Sequence, residues 1–331
     1  MTNFVTLFDS FRNMKVAVVG DVMLDTYWWG HVDRISPEAP VPVVLLDKSE
    51  WRIGGAGNVA LNLVAMGAQT SIFSVLGEDA DGKQLDQLLT DNQIDTSYII
   101  FSQERKTTNK VRVISRNQQM MRLDSETTKD LSAEVETALL ERISTYIVQE
   151  KPAVLIFEDY NKGVLTASLI EAVVRCCKEN GVITTVDPKK KNFFAYRQVD
   201  IFKPNLKEVK EGLNILLETV NQESLNEVHR LLAEKLHHQI SFITLSEKGV
   251  YYGTKNEAGI LPSHIRNIAD VSGAGDTVIA VASLVYAATK NLALFAAVAN
   301  IAGGLVCEEV GTAAINKARL LKECQALLTA Y

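Results

Sequence analysis

Residues 270–280 read DVSGAGDTVIA, with two glycines and two acids in the first seven positions, directly before an apolar, helix-like run. A loop with so few side chains lets backbone N–H groups converge, and a helix start adds a positive dipole end. Together they bind anions such as phosphate. Gly273, Ala274 and Gly275 are the candidates for that cradle. Asp276 behind them has two readings: an N-cap, or a base facing a group held beside the anion. Three other runs carry similar chemistry. Residues 52–68, RIGGAGNVALNLVAMGA, form a Gly-rich turn opening a helix, with Asn58 and Asn62 near its start. Residues 203–209, KPNLKEV, end a strand at Asn205 and set Glu208 one helical turn on. Residues 299–315, ANIAGGLVCEEVGTAAI, read as a small-residue helix ending at Gly311, suited to packing against a flat ring.

These residues need a scaffold that brings them together. Short apolar runs at 15–24, 70–77, 153–159, 182–188, 200–205 and 240–249 read as buried strands, and helical patterns lie between them. That alternation predicts an α/β fold, a central mostly parallel sheet flanked by helices on both faces. Several strands end in polar groups, namely Asp21, Asp159, Asp187 and Asn205. Ligands of open α/β sheets bind beyond the carboxyl ends of strands, so these ends are expected to line one crevice. Two segments break the alternation. Residues 26–51 are aromatic and Pro-containing, and residues 102–124 alternate basic and apolar side chains. Both read as strands of a small β flap, or lid, inserted in a single domain over 1–331. The tail from Asn316 reads as a terminal amphipathic helix.

Composition narrows the function. The 331 residues carry 34 Lys and Arg against 40 Asp and Glu, a net charge of -6, which argues against a sequence-independent nucleic-acid binder. Hydrophobic residues at 47% suffice for a large core. The 4 cysteines form no CxxC pair and read as reduced thiols of a cytoplasmic protein. The start of the chain lacks a secretory pattern. The apolar runs on either side of Lys290 and Asn291 are each shorter than the ~20 residues of a membrane span, so no membrane association is expected. GEDADGKQ at 77–84 has Walker A spacing but puts Gln84 where Ser or Thr is needed and three acids where phosphate would sit. No zinc-ligand cluster or GxSxG elbow occurs.

The order GGAGNVALNLVAMG, NLKE, DVSGAGD resembles the PfkB (ribokinase-like) family of sugar kinases over nearly the whole chain. Within it, GDVMLDTYWWGHVDRISPEAPVPVV, RNQQMMRLD, EDYNKGVL and DPKKKN are similar to the heptose 7-phosphate kinases of lipopolysaccharide core synthesis. Some of that group are fused to a nucleotidyltransferase. No HxGH motif is present, so the resemblance points to a stand-alone kinase or one half of a fusion.

The resemblance implies a ribokinase-like fold and an ATP-dependent transfer to a sugar hydroxyl. Asp276 would take the hydroxyl proton while the 273–275 backbone meets the transferring phosphoryl group. Asn205, Leu206, Lys207 and Glu208 would border ATP, with Ser246, Gly249 and Asn300 on the nucleotide wall. Glu208 would hold Mg²⁺ through water. Asp270, with carbonyls near Ser272 and Gly311, would take K⁺. Asp21, Asp25, Gly54, Gly55 and Asn58 are the candidates for sugar hydroxyls, with Asp159 and Asp187 at neighbouring strand ends; that Asp21 only caps a loop is the alternative. A distal phosphate calls for cations: Lys110, Arg112, Arg116 and Arg122 on the flap, and Lys162 and Lys189 after strand-end acids. For any one of these, a solvated charged face is the alternative. Trp28, Trp29, Val41, Val43 and Val44 give the flap more apolar surface than it can bury, which predicts a homodimer through the flaps. Two other functions remain: a kinase for another sugar or nucleoside, and a nonenzymatic sensor on the same fold.

Overall fold

The computed structural model describes residues 2–116 and 118–329; Asn117 of the RNQQMMRLD run and the last two tail residues lie outside them. In chain order the elements begin α1 (Phe4–Ser10), β1 (Lys15–Gly20), β2 (Val22–Ile35), β3 (Pro42–Gly55), α2 (Ala56–Met66), β4 (Gln69–Phe73), β5 (Val75–Gly77) and α3 (Ala80–Asp91). They continue with β6 (Ile100–Ser102), β7 (Asn109–Ser115), β8 (Gln118–Ser125), α4 (Ala133–Glu150), β9 (Val154–Glu158), α5 (Ala167–Glu179), β10 (Ile183–Asp187) and β11 (Ile201–Phe202). The last are α6 (Leu206–Leu213), α7 (Gln222–Leu236), β12 (Ile240–Thr244), β13 (Val250–Gly253), β14 (Ala258–Leu261), α8 (Ala274–Thr289), α9 (Leu292–Val306) and α10 (Lys317–Leu327).

The main sheet has eight strands in the order β14-β13-β12-β11-β10-β9-β1-β4. It is parallel from β4 to β12, and β13 and β14 close one edge as antiparallel strands. Both faces are buried, which is why these strands are apolar without alternation. Along β1, Val16 and Val18 pack under α2, α8 and α9, while Ala17 and Val19 pack under α4, α5 and α7. Helices α8 and α9 are buried on nearly every side, as their lack of an amphipathic pattern requires. The run at 70–77 is two strands: β4 joins the main sheet, and β5 pairs with β6 in a separate ladder.

The flap is the four-stranded sheet β3-β2-β7-β8. It is larger than residues 26–51 and 102–124 suggest, because β2 starts two residues after β1 and β3 runs directly into α2. Asp25, Gly54 and Gly55 are therefore flap residues at its root. The Ala56 N–H bonds the Asp21 carbonyl at 3.0 Å, pinning that root to the end of β1. Residues 102–108 lead into the flap without belonging to it. The outer strands expose apolar side chains: Leu46 is 56% and Met121 54% accessible.

Candidate active site

Helix α8 begins immediately after Gly273, which holds φ 76°. Asp276 lies in its first turn and is buried. It is not the N-cap. Asn58 Nδ2 donates to its Oδ2 at 2.8 Å, and the Tyr160 hydroxyl donates to its Oδ1 at 2.8 Å. Burial pushes the carboxyl up to about 6, against the pull of those two hydrogen bonds. A carboxylate in that range accepts a proton near neutral pH, which is what a base on a hydroxyl needs. Asn58 is positioned by Asn62, whose Nδ2 donates to the Asn58 carbonyl at 2.8 Å. Asn62 Oδ1 accepts from the Thr277 hydroxyl at 3.0 Å and from the Ile315 N–H at 2.9 Å. One buried amide thus fastens α2, α8 and the segment before α10 together.

On the sheet side, Asp187 ends β10 between two cations: Lys203 at 2.7 Å and Lys189 at 3.3 Å. Burial opposes its ionisation, but the two ammonium groups hold its carboxyl below the usual range. Lys189 also meets Glu208 at 2.6 Å. Asn205 and Glu208 form a capping box on α6: the Glu208 N–H bonds Asn205 Oδ1, and the Asn205 N–H bonds Glu208 Oε2, both at 2.8 Å. The expected nucleotide border therefore joins Lys189 and Asp187, which had been placed with the sugar. Lys203, fully enclosed, was not among the sequence candidates; its only sequence signal is its place two residues before Asn205. Leu206 is half-buried, and exposed Lys207 pairs with Glu211 at 3.8 Å. Ser246 is exposed, Gly249 packs against the Leu261 carbonyl, and Asn300 Nδ2 donates to the Pro262 carbonyl at 2.8 Å. Helix α9 stops at Val306, not at Gly311, which lies in the following turn at φ 73°.

The sugar candidates divide. Asp21 accepts the N–H groups of Tyr160, Lys162 and Val164 at 2.9, 3.0 and 3.1 Å, so it shapes the loop after β9. Asp159 accepts from the Asn161 N–H, Asn192 and Tyr196, and burial with Asp21 alongside pushes it up to about 6. Asp25 is buried and meets Arg112 at 2.6 Å; a Cβ on Gly54 would stand 2.5 Å from its Oδ2. Among the cations, Lys162 pairs with Glu126 at 2.6 Å and Arg122 with Asp124 at 2.8 Å. Lys110 is half-buried, and its ammonium has no hydrogen bond or ion pair among the described residues. Burial lowers its pKa, and the neighbouring Lys162 and Arg122 add to that against the pull of Asp25. Arg116 is remote, 4.0 Å from Asp33 at the outer end of the flap. Arg105, absent from the sequence candidates, donates to the carbonyls of Lys129 and Lys162 and supports the same loop.

Asp270 accepts from the Ser272 N–H and hydroxyl and from the Gly311 N–H at 2.9 Å. Partial burial works against its charge, and these donors hold its carboxyl below the usual range. Beside it, Arg52 of β3 donates to the Val310 carbonyl at 2.6 Å and packs over the Tyr27 ring at 4.9 Å.

The residues fit a nucleotide phosphate. A Cβ on Gly273 would stand 2.5 Å from Asn58 Nδ2, so only glycine lets that amide lie against the anion loop, and Gly275 faces Asp187 and Lys203 without a side chain of its own. For Mg²⁺ the donors are oxygens but are already bonded, and no group of three acids, His or Cys could hold a metal among the described residues. That donor set suits an ion held through water and phosphate rather than by a protein cage.

The fold is that of the ribokinase-like class. Phosphofructokinase-2 from Escherichia coli in complex with potassium superposes with a TM-score of 0.79 at 16% identity, over 96% of this chain and 99% of that one. Arabidopsis thaliana ribokinase complexed with ribose and ATP gives 0.73 at 18% identity, over 93% and 99%. Residues 13–319 match the pfkB family carbohydrate kinases, and the chain belongs to that family. Similar relatives are the bifunctional protein HldE of Syntrophotalea carbinolica, 37% identical over 95% of this chain and 64% of that protein, and of Desulfatibacillum aliphaticivorans, 40% identical over 97% and 65%. The chain thus spans just under two thirds of the length of these relatives. No helix among the described residues is long and apolar enough to cross a membrane.

Proposed function

We propose that the protein transfers the terminal phosphoryl group of ATP to the C1 hydroxyl of D-glycero-β-D-manno-heptose 7-phosphate, giving the 1,7-bisphosphate, a step towards ADP-heptose and lipopolysaccharide core. The observation that carries this is Tyr160. Its hydroxyl bonds Asp276, and the unpaired ammonium of Lys110 stands 5.9 Å from its ring centroid. A base for one end of the sugar and an unsatisfied cation for a distal phosphate thus lie on two sides of one residue.

In this reading Asp276 receives the C1 proton while the N–H groups of Gly273, Ala274 and Gly275 meet the phosphoryl oxygens. Lys110, with Lys162 and Arg122, takes the 7-phosphate. Asp25, Arg112, Gly54, Gly55 and Asn58 line the sugar, and Asp21 and Asp159 fix the loop that carries Tyr160 and Lys162. Asn205, Leu206, Lys207, Glu208, Ser246, Gly249 and Asn300 border ATP. Mg²⁺, when bound, neutralises phosphate charge, and Glu208 reaches it through water. Lys189 and Lys203 keep Asp187 ionised beneath the phosphates. K⁺ at Asp270 must use carbonyls on the Ser272 side, because Arg52 already holds that of Val310. Equal rates in K⁺ and tetramethylammonium at matched ionic strength would remove K⁺ from the scheme. Four unpaired cysteines support a cytoplasmic setting, and the exposed apolar flap supports a homodimer.

The test compares heptose 7-phosphate with unphosphorylated heptose, ribose and fructose 6-phosphate, using ATP and Mg²⁺, with the product position read by NMR. Heptose 7-phosphate is expected to have the highest kcat/KM. An equal value for ribose or unphosphorylated heptose leaves only a kinase for another sugar.

A further inference from the structure

We infer that Tyr160 is a positioning residue that sets the basicity and direction of Asp276, so that the carboxylate keeps one free lone-pair direction for the sugar hydroxyl. This rests on the reading of Asp276 as the base. The geometry is specific. Asn58 occupies Oδ2 from α2, and Tyr160 occupies Oδ1 from the loop after β9, each at 2.8 Å. With both oxygens bonded, the carboxylate cannot rotate freely, and lone pairs remain for one further donor. Tyr160 is itself held from two directions. Its own N–H bonds Asp21 at 2.9 Å, and the ammonium groups of Lys110 and Lys189 stand over its ring, 5.9 and 5.4 Å from the centroid. Lys110 comes from flap strand β7, and Lys189 is paired with Glu208. The ring therefore touches the flap side, the nucleotide side and the base at once.

The charged and titratable groups facing Asp276 come from several elements. Asp187 ends β10, Lys203 follows β11, and Glu158 ends β9. Glu158 is fully buried with both carboxylate oxygens unpartnered, and burial, with Asp187 and Asp276 adding, raises its pKa well above the usual value. The Tyr160 hydroxyl stays protonated for the same reason, since burial and Asp276 raise its pKa well above the usual value. It is a permanent donor across the working pH range. Donation to the ionised form lowers an acid's pKa, so loss of this donor must raise that of Asp276.

The experiment is the pH dependence of kcat, which reports groups in the bound complex. The substrate's own phosphate titrates identically for every variant. Tyr160→Phe should move the acid limb up by about one pH unit, the scale of one hydrogen bond to a charged group. Replacing Tyr160 with 3-fluorotyrosine keeps the shape and strengthens the donor, so its limb should move down. This variant decides the matter if Tyr160→Phe fails to fold by circular dichroism. A limb that stays in place, or that moves the same way in both variants, overturns the inference. Asp276→Asn separates the two ideas: wild-type turnover in that variant sinks the base itself, whereas an unmoved limb with Asp276 still essential sinks only the role of Tyr160.

Discussion

Replacing Asp276 with Asn should abolish most activity and make the protein's stability less dependent on pH. The carboxyl rises from 3.8 to about 6 on folding, roughly 2.2 pH units or about 3 kcal/mol. The folded state holds the proton more tightly. The contribution of Asp276 to stability is therefore fully present below pH 3.8 and is lost as pH rises through about 6. About half of that loss, roughly 1.4 kcal/mol, falls between pH 5 and pH 8. Asn at this position meets two donors, Asn58 Nδ2 and the Tyr160 hydroxyl, and its amide can accept from only one of them. That conflict costs about 1–3 kcal/mol but is the same at both pH values, so it cancels in the comparison. Urea unfolding of wild type and Asp276→Asn at pH 5 and pH 8 should show the variant gaining about 1.4 kcal/mol on the wild type between them, while turnover falls roughly 10²–10⁴-fold. A wild type that does not lose stability relative to the variant as pH rises refutes the buried, proton-retaining carboxyl. Near-wild-type turnover in the folded variant refutes the base.

Lys110→Met keeps the stem and removes the unpaired ammonium; kcat/KM for the phosphorylated sugar should fall roughly 10–100-fold, with that for an unphosphorylated sugar little changed, by coupled assay. Gly273→Ala puts a Cβ 2.5 Å from Asn58 Nδ2 on a residue at φ 76°, so it should lower stability by about 1–2 kcal/mol and cut turnover at least tenfold. Wild-type values for both would remove the case for a tight cradle. Light scattering at micromolar concentration should give a dimer mass, and Leu46→Lys on the exposed flap should shift it to monomer.

The parts of the fold governed by local pattern were legible in the sequence. The parallel strands announced themselves as unbroken apolar runs, and α8 by its glycines. The flap was visible as two stretches that broke the alternation. What stayed hidden depends on contacts between distant residues. Asp21 and Asp159 look like ligand carboxylates from their strand-end positions, but folding turns their oxygens towards nearby N–H and hydroxyl groups. Tyr160 lies inside a quoted motif, yet nothing local says its hydroxyl meets a residue 116 positions away. Lys203 carries no local sign of its role; only folding sets Asp187 of β10 beside it. The end of α9 was placed too late because Cys307, Glu308, Glu309 and Val310 carry no local stop signal before Gly311, while the helix stops at Val306.

Arg52 gives the two halves of the reaction a common fate. It is rooted in the flap, which in the proposed scheme covers the sugar, and grips the Val310 carbonyl, next to the Gly311 N–H that bonds Asp270 at the head of the anion loop. In that scheme a sugar that shifts the flap also shifts that turn, and a nucleotide that tightens the turn biases the flap. Linkage then requires equality: whatever factor the nucleotide adds to sugar affinity, the sugar adds to nucleotide affinity. Removing this guanidinium, which also donates to the Thr312 carbonyl at 3.5 Å, should bring both factors closer to one by the same amount.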